Sequence, residues 1–302
     1  MGWLCSDGEF MYVYLNGLFW GLYNANERPD AAFMEAHIGG AREDWDVLKG
    51  NIGLHDGQLK EGSRASYEAV MALVPVASNN ITDADYQTLK QYVDMEQYID
   101  YMLLEIFLGN DDWPQKNWYC VAKRNLTDPA GPPAVKFRFF TWDSEATLRL
   151  NADRSKVGDT SAWDDIGPGR IYRRVRRHPE FQRQFADRVQ KHLFNGGALT
   201  PAANAARYAQ RGGQITQAIC GESARWGDAA LGGSLPYNRD TWLSTFNYYT
   251  NVYFKERNPV VIAQLRAIGL YPSIAAPSFN QHGGAITAGF ALVITAPQGT
   301  IY

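Results

Sequence analysis

The chain has 302 residues, of which 45% are hydrophobic and 20% are charged, and its formal net charge is -3. This composition is typical of a folded globular protein and excludes wholesale disorder. Because 29 basic residues are balanced by 32 acidic ones, no global positive charge points to nucleic acid or to an anionic membrane surface as a partner. The best apolar stretch, residues 101–108, is far shorter than the ~20 residues that cross a bilayer, so no membrane span is expected.

The two ends and the cysteines set further bounds. A strand pattern follows Met1 almost directly, with no signal peptide before it, and the chain stops just after an alternating apolar run. We interpret both ends as cuts through a longer protein, so the missing signal says little about compartment. The three cysteines, Cys5, Cys120 and Cys220, fit no zinc-ligand spacing. Three buried thiols are expected, with one disulfide as the alternative.

The first predicted element is a β-hairpin over residues 10–23. Two strand-forming runs flank Asn16 and Gly17, the pair that a type I′ turn favours because both of its central residues need positive φ. Both runs are apolar on both faces, which predicts a hairpin covered on both sides. Neither a P-loop nor a G-x-G-x-x-G motif occurs. Asn16 and Gly17, with Gly21, are therefore the candidates for a phosphate-binding turn, and an ordinary hairpin is the alternative.

The elements that follow are mostly helical and enclose one short hairpin. A polar segment over 24–57 contains a short run at Asp46–Lys49. Helices are predicted at about 63–73, at about 83–92 after the Thr82 cap, and at 95–108 with one apolar face, which stops at Gly109. Strands are predicted at 118–123 and 135–142. From residue 171 to about 268 the pattern is helical, with an interruption near Asn258-Pro259, and 286–295 alternates like a strand.

The candidate chemistry lies between Asn110 and Glu145. Asp112 and Asn117 are five residues apart in a loop that follows a buried helix, and the hairpin after this loop ends at Asp143. Protein kinases place a catalytic Asp, an Asn five residues later, a hairpin and a metal-binding Asp in this order. Phosphoryl transfer needs a carboxylate that accepts a hydroxyl proton and hard oxygen ligands for Mg²⁺. The order predicts Asp112 as base and Asn117 and Asp143 as metal ligands. The alternative is that these residues cap and turn loops.

Four motifs, in this order, resemble those of the CotH kinases, the spore-coat protein H family. They are Tyr14–Tyr23 followed by Glu27, the lysine-bearing run Asp46–Lys49, the loop Gly109–Tyr119, and Thr141–Asp143. The resemblance covers about residues 10–145, and the helical remainder to about 270 has the same character without motifs as sharp. It implies an α+β, atypical protein-kinase-like fold, with a β-hairpin in the small lobe and a mainly helical large lobe. It also implies ATP with Mg²⁺ or Mn²⁺ as cofactors.

Carried over residue by residue, the resemblance makes Asp112 the catalytic residue, Asn117 the loop asparagine and Asp143 a metal ligand. It also implies that Lys49 contacts the nucleotide phosphates and that Glu27 pairs with Lys49. The alternatives for this last pair are a solvated lysine at a strand end and a surface carboxylate.

Two features depart from the family pattern. The metal motif reads Trp142-Asp143-Ser144-Glu145 instead of the commoner Trp-Asp-x-Asp, so Glu145 is the candidate for the second carboxylate. The family also has a β-rich segment before the hairpin, whereas this chain begins almost at the hairpin.

Two regions are predicted along the chain. Residues 1–270 form the CotH-type kinase-like domain, truncated at its N-terminus. Residues 271–302 form a linker and the first strands of a β-sandwich, which is similar to the repeat that follows chitobiase-type catalytic domains. The family and this companion imply a secreted or cell-surface bacterial protein.

The expected function is ATP- and Mg²⁺-dependent phosphoryl transfer to a hydroxyl, as of Ser or Thr, on a secreted or surface protein. Two alternatives stay open. One is a non-catalytic kinase-like binding or scaffold module. The other is a glycoside hydrolase that uses carboxylates among Asp111, Asp112, Asp143 and Glu145, although that chemistry gives no reason for Asn117. ATP-dependent phosphorylation separates the kinase from both.

Overall fold

A computed structural model describes residues 1–52, 54–160, 164–229 and 236–296, and the strands in these ranges form three separate antiparallel sheets. The strands are β1 Gly8–Leu15, β2 Leu18–Asn26, β3 Trp45–Asn51, β4 Leu54–Glu61, β5 Trp118–Lys123, β6 Val135–Thr141, β7 Ser278–Phe279 and β8 Ile294–Thr295. The largest sheet has the order β4-β3-β5-β6, so β6 lies at its edge. The pairs β1-β2 and β7-β8 are two-stranded sheets of their own.

Helices make up most of the second half of the chain, and together with the sheets they give the predicted α+β class. They are α1 Ala31–Ile38, α2 Ala65–Leu73, α3 Asp83–Tyr92, α4 Met95–Leu108, α5 Gly167–Val175, α6 Pro179–Leu193, α7 Pro201–Ile215, α8 Ala218–Trp226, α9 Arg239–Tyr248 and α10 Phe254–Ala267. In the described ranges, no helix has the length and apolar character needed to cross a membrane.

Helix α4 is the central element of the core. The four residues predicted to form its apolar face, Ile99, Met102, Leu103 and Ile106, are all fully buried. Their i, i+3, i+4, i+7 spacing puts them on one side of the helix. The helix contacts β6 on one side and α6 and α10 on others. Because it is buried all round, the loop that follows it starts inside the protein.

Two groups bind the main-chain carbonyls at the C-terminal end of α4. Gly109 takes the left-handed conformation, with φ 63°, and its N–H donates to the carbonyls of Glu105 and Ile106. The guanidinium of Arg257, on α10, is fully buried and donates to the carbonyls of Ile106 and Phe107. It also donates to the carbonyls at positions 150 and 152. Carbonyls that a helix end leaves unpaired need partners when they are buried.

The hairpin β1-β2 is less covered than the sequence predicts. Its turn at Asn16 and Gly17 is confirmed, with φ 51° and 79°. However, Tyr12 and Tyr14 are 54% and 59% exposed. Helix α8 contacts β2, where the Glu222 carboxylate accepts from the Leu22 N–H at 2.6 Å. The expectation of cover on both sides is wrong, because apolar side chains show that a strand can be buried but not that an element is available to bury it.

Two further expectations need correction. Pro259 lies inside α10, and the irregularity falls earlier, in a π-helical turn at Tyr249–Tyr253. The helix persists through the proline because its neighbours Arg257 and Asn258 are held by buried hydrogen bonds.

All three cysteines are free, but only Cys120 is buried. The exposed Cys5 and Cys220 belong to segments that the core does not cover.

The C-terminal region pairs less than its alternating pattern suggests. Within 286–295, Ile294–Thr295 is the extent of strand and pairs with Ser278–Phe279. Residues 297–302 lie outside the described residues. The β-sandwich start and the domain boundary near 270 therefore stay predictions.

Arg257→Met tests the buried cap of α4. The substitution keeps most of the side-chain length but removes the guanidinium that donates to four main-chain carbonyls. The carbonyls of Phe107 and Leu150 then have no donor within the described ranges, whereas those of Ile106 and Ala152 keep Gly109 and Gln264. Since hydrogen bonds to charged groups contribute about 1.5–3 kcal/mol each, we expect the free energy of unfolding to fall by at least about 3 kcal/mol in urea denaturation. Arg266→Met is the control, because Arg266 donates to the carbonyl of Pro272 near the surface. Equal losses in the two variants would contradict the assigned role of Arg257.

Candidate active site

The predicted catalytic loop begins at a buried asparagine. Asn110 is fully buried, and its Nδ2 donates to Glu105 Oε2 at 2.9 Å. Its Oδ1 accepts from the Asp112 N–H at 3.2 Å. Asn110 therefore ties the backbone of Asp112 to the last turn of α4. An Asn side chain that accepts from the N–H two residues later forms an Asx turn, which is a local device for fixing a loop.

Two buried tryptophans hold the loop against the core. Trp113 Nε1 donates to Tyr101 Oη at 2.5 Å, and Trp118 Nε1 donates to the Pro114 carbonyl at 2.7 Å. Both indoles are fully buried. The loop is thus fixed from both of its ends.

The Asp112 carboxylate is held by three side chains of its own loop. Oδ2 accepts from Asn117 Nδ2 at 3.2 Å and lies 2.5 Å from Lys116 Nζ. Oδ1 is 3.4 Å from Gln115 Nε2. The hydrogen bond from Lys116 to Asp112 raises the pKa of the lysine. A quarter of the Asp112 side chain is exposed, so this carboxylate is oriented and also accessible from solvent.

Asn117 and Asp143 lie at the same end of the β5-β6 hairpin. Trp118 is opposite Thr141 in the register, and the Trp142 N–H donates to the Asn117 carbonyl at 3.2 Å. Both Asn117 and Asp143 take positive φ, 63° and 52°, which is uncommon for residues other than glycine and occurs often at functional sites. The structure therefore brings the predicted base and the two predicted ligands to one place.

Lys49 faces this place from the neighbouring strand. It lies opposite Tyr119 in the β3-β5 register, and its Nζ is 5.6 Å from the Tyr119 ring centroid and 6.0 Å from that of Trp142. Burial is the largest cause that lowers the pKa of Lys49. The charges of Lys60 and Arg28 lower it further, and the carboxylate of Asp143 opposes this effect.

Arg28, Lys49 and Lys60 thus form a cationic group, and Asp143 is the carboxylate that acts on Lys49. Arg28 Cζ is 6.0 Å from the Trp142 ring centroid, so it lies over the same indole as Lys49. None of the ion pairs formed within the described ranges includes Arg28, Lys49 or Lys60. Like charges that repel one another without a counter-ion favour the binding of an anion.

Glu145 and Asp143 both act on Lys116. Each carboxylate contributes to the raised pKa of that lysine, after the larger effect of Asp112. In the part of the chain that the structure describes, no three His, Cys, Asp or Glu side chains are grouped as metal ligands would be. The predicted donor set is the mixed one of Asp143, the Asn117 amide oxygen and Glu145. Carboxylate and amide oxygens are the hard ligands that Mg²⁺ and Mn²⁺ prefer, so the residues fit such an ion.

Glu27 has partners other than the predicted one. Its Oε2 accepts from the Asp7 N–H at 3.0 Å and its Oε1 lies 3.0 Å from His37 Nε2. The hydrogen bond from Asp7 is the largest cause that lowers the pKa of Glu27. The expected pairing with Lys49 is not formed, because both carboxylate oxygens bind elsewhere.

Asn16 and Gly17 are not brought to the loop by any described contact. They form the exposed tip of a hairpin whose contacts are with α8, and no hydrogen bond in the described ranges joins this tip to the residues around Asp112. Their role as a phosphate-binding turn stays a prediction.

Sequence reasoning missed Arg28, Lys60 and Lys116. Lys116 had a usable signal, since a lysine four residues after Asp112 and next to Asn117 lies within the loop. No signal in the sequence points to Arg28 or Lys60. They come close to Lys49 because β3 pairs with β4 and because of the path that the chain takes after β2.

The comparison with known families identifies the family of the chain. A family model described as CotH kinase protein matches residues 1–258. The chain belongs to the CotH kinase family. No curated protein matches it. The match extends well past the motifs that end near residue 145 and includes Arg257, so the helical part of this CotH kinase domain is part of the family unit. The chitobiase-type repeat lies beyond the matched residues and stays a prediction.

Asn110 joins the loop of this CotH domain to the buried carboxyl group of Glu105. Glu105 is fully buried, Oε2 accepts from Asn110, and Oε1 has no hydrogen-bond partner among the described residues. Burial raises the pKa of Glu105 to about 8, although the hydrogen bond from Asn110 and the charge of Arg154 oppose the rise. The side chain is therefore mainly a neutral acid at pH 7.

Glu105→Gln tests this protonation state. The folded protein binds more protons at Glu105 than the unfolded chain between pH 4.5 and about 8, so the stability of the wild type falls as pH rises through that range. Each unit of pKa difference corresponds to about 1.4 kcal/mol. We expect Glu105→Gln to gain stability relative to the wild type between pH 5 and pH 8 in urea denaturation. Glu68→Gln, at an exposed i,i+4 pair, is the control and should show no such trend. A parallel pH dependence in the wild type and Glu105→Gln would contradict the assignment.

Proposed function

We propose that this CotH kinase domain transfers the γ-phosphoryl group of ATP, with Mg²⁺ or Mn²⁺, to a hydroxyl of a protein. Membership of the CotH kinase family supports phosphotransfer in general terms. The observation that carries the specific proposal is the hydrogen bond between Asn117 and Asp112, with Asp143 at the same end of the hairpin and unpaired cations beside it. The acceptor in the proposal is a Ser or Thr hydroxyl of a secreted or cell-surface protein.

Asp112 is the proton acceptor in this proposal. Its carboxylate is fixed by Asn117, Lys116 and Gln115 and remains partly exposed, so an acceptor hydroxyl can approach it. Lys116 neutralises the carboxylate when no acceptor is present and then has its charge available for a phosphate oxygen. Positioning of this kind supplies most of the catalysis in phosphoryl transfer, because the transition state is loose and needs little covalent help.

Asn117, Asp143 and Glu145 hold the metal, and the cations hold the phosphates. Bound Mg²⁺ would neutralise charge that develops on the phosphate oxygens. Lys49, Arg28 and Lys60 supply the positive field for a polyphosphate chain, since none of the three takes part in an ion pair within the described ranges. The aromatic rings of Tyr119 and Trp142 keep Lys49 in place beside Asp143.

The two alternatives make different demands on these residues. A scaffold module needs neither the orientation of Asp112 nor an unpaired cationic group. A glycoside hydrolase needs two carboxyl groups that flank a sugar. That reaction gives no role to Arg28, Lys49 or Lys60. ATP-dependent labelling of a protein acceptor separates the kinase from both.

Asp112→Asn removes the proton acceptor and keeps the size of the side chain. Incubation with radiolabelled ATP and Mg²⁺ or Mn²⁺ should show transfer to a generic protein acceptor reduced by about 10²–10⁴-fold. The affinity for ATP, measured by titration calorimetry, should change little, since Asp112 faces the acceptor. Asp111→Asn is the matched control, because the Asp111 carboxylate pairs with Arg149 at the surface. Equal labelling by Asp112→Asn and the wild type would refute the role of Asp112.

Asp143→Asn separates metal binding from proton transfer. The substitution removes the charge that faces Lys49 and contributes to the site around Lys116. We expect calorimetry to show weaker binding of Mg-ATP together with the loss of transfer, whereas Asp112→Asn loses transfer alone. Unchanged Mg-ATP affinity in Asp143→Asn would show that the metal is held elsewhere.

A further inference from the structure

The outer edge of β6 is partly closed by neighbouring groups of the same chain. β6 lies at the edge of the four-stranded sheet, so every second residue points its N–H and C=O away from β5. At Phe137 the outward carbonyl accepts from the Asp94 N–H at 3.0 Å. At Phe139 the Gln97 carboxamide donates to the carbonyl at 2.6 Å and accepts from the N–H at 2.9 Å. Gln97 therefore binds this edge as the peptide group of an added strand would.

Thr141 is the next outward position and has no such partner. The adjacent Trp142 N–H points inward, to the Asn117 carbonyl at 3.2 Å, which confirms the alternation. No hydrogen bond from another described residue reaches the N–H or C=O of Thr141. Unpaired main-chain groups at a sheet edge are a ready template for a further strand.

A cavity of about 570 Å³ lies against this unpaired position. It extends from Gln97 to Asp143 along β6, and Thr141 is among the residues that line it. Tyr101 and Leu104 of α4 form an apolar wall, and residues 1–6 also line the cavity. Since Asp143 lines the cavity, the cavity is continuous with the candidate active site.

We propose that this cavity binds the acceptor as an extended peptide that adds a strand to β6 at Thr141. The inference rests on the proposed kinase function and specifies its substrate as an unfolded or looped segment. Two strand residues span about 6.6 Å, so a peptide paired at Thr141 brings the side chain of a nearby residue to Asp143 and Asp112. The wall formed by Tyr101 and Leu104 then takes an apolar side chain of the same peptide.

The proposed transfer moves the γ-phosphoryl group of ATP to the acceptor hydroxyl. The acceptor hydroxyl oxygen forms a bond to the γ-phosphorus of ATP, and the bond from that phosphorus to the β–γ bridging oxygen breaks. ADP leaves with the electron pair of the broken bond, and the hydroxyl proton passes to Asp112.

Peptide backbone chemistry gives a test that needs no protein variant. The probe is a pool of fluorescein-labelled nonapeptides with a central Ser and randomised flanks that lack Ser and Thr. Strand addition uses peptide N–H and C=O groups, so N-methylation of flanking residues should raise the KM of the pool for wild-type protein. Since loss of one hydrogen bond corresponds to about a tenfold change in affinity, we expect a rise of about tenfold at the positions that pair with Thr141. No effect of N-methylation at any position would overturn the proposal.

Thr141→Pro tests the protein side of the same pairing. Proline removes the outward N–H, and edge strands tolerate it because that N–H takes no part in the ladder with β5. We expect the KM for the peptide pool to rise about tenfold. Thr141→Val retains the N–H, so its KM should lie well below that of Thr141→Pro. An unchanged peptide KM in Thr141→Pro would count against strand addition.

A binding measurement distinguishes failure of this inference from failure of the proposed function. Fluorescence anisotropy of the labelled pool reports binding whether or not phosphate is transferred. Binding that is weakened by N-methylation, without any transfer by the wild type, would refute the kinase proposal and support the peptide groove. Transfer to the pool with no dependence on N-methylation or on Thr141→Pro would support the kinase and overturn the groove.

Discussion

The C-terminal end of helix α4 lies inside the protein, and the position of the catalytic loop depends on how that end is satisfied. Gly109 turns the chain, Arg257 binds the free carbonyls, and Asn110 connects Glu105 to the backbone of Asp112. Each of these groups is buried, so each bond forms in a low-dielectric environment where an unpaired partner is costly. These bonds fix the position of Asp112, and the proposed proton transfer depends on that position.

The charges around the loop divide into two sets with opposite signs. Asp112, Asp143 and Glu145 act on Lys116. Arg28 and Lys49 lie by the Trp142 ring, and the charge of Lys60 acts on Lys49. A divalent ion and a polyphosphate would each complete one of the sets. In the proposed function, this division separates the residues that would hold the metal from those that would hold the phosphates.

The open position at the edge of β6 is where we propose that the acceptor peptide binds. Gln97 shows that groups outside the sheet can pair with that edge, and Thr141 is left open where the cavity meets Asp143. Strand edges left open inside a cleft are unusual, because natural proteins protect them from unwanted pairing. In this protein the open position lies only two residues from the proposed metal ligand.

The sequence by itself determined the local elements of the site. The i, i+3, i+4, i+7 pattern placed α4, the glycine after it ended the helix, and the spacing of Asp112, Asn117 and Asp143 around a hairpin brought them to one end of β5-β6. These features depend on residues that are close in the chain, where period and turn chemistry act directly. The tertiary structure alone decided that Arg28 and Lys60 join Lys49, that Glu27 binds His37, and that Arg257 supports α4 from about 150 residues away. Such contacts depend on which strands pair and which faces pack, and no local pattern encodes those choices.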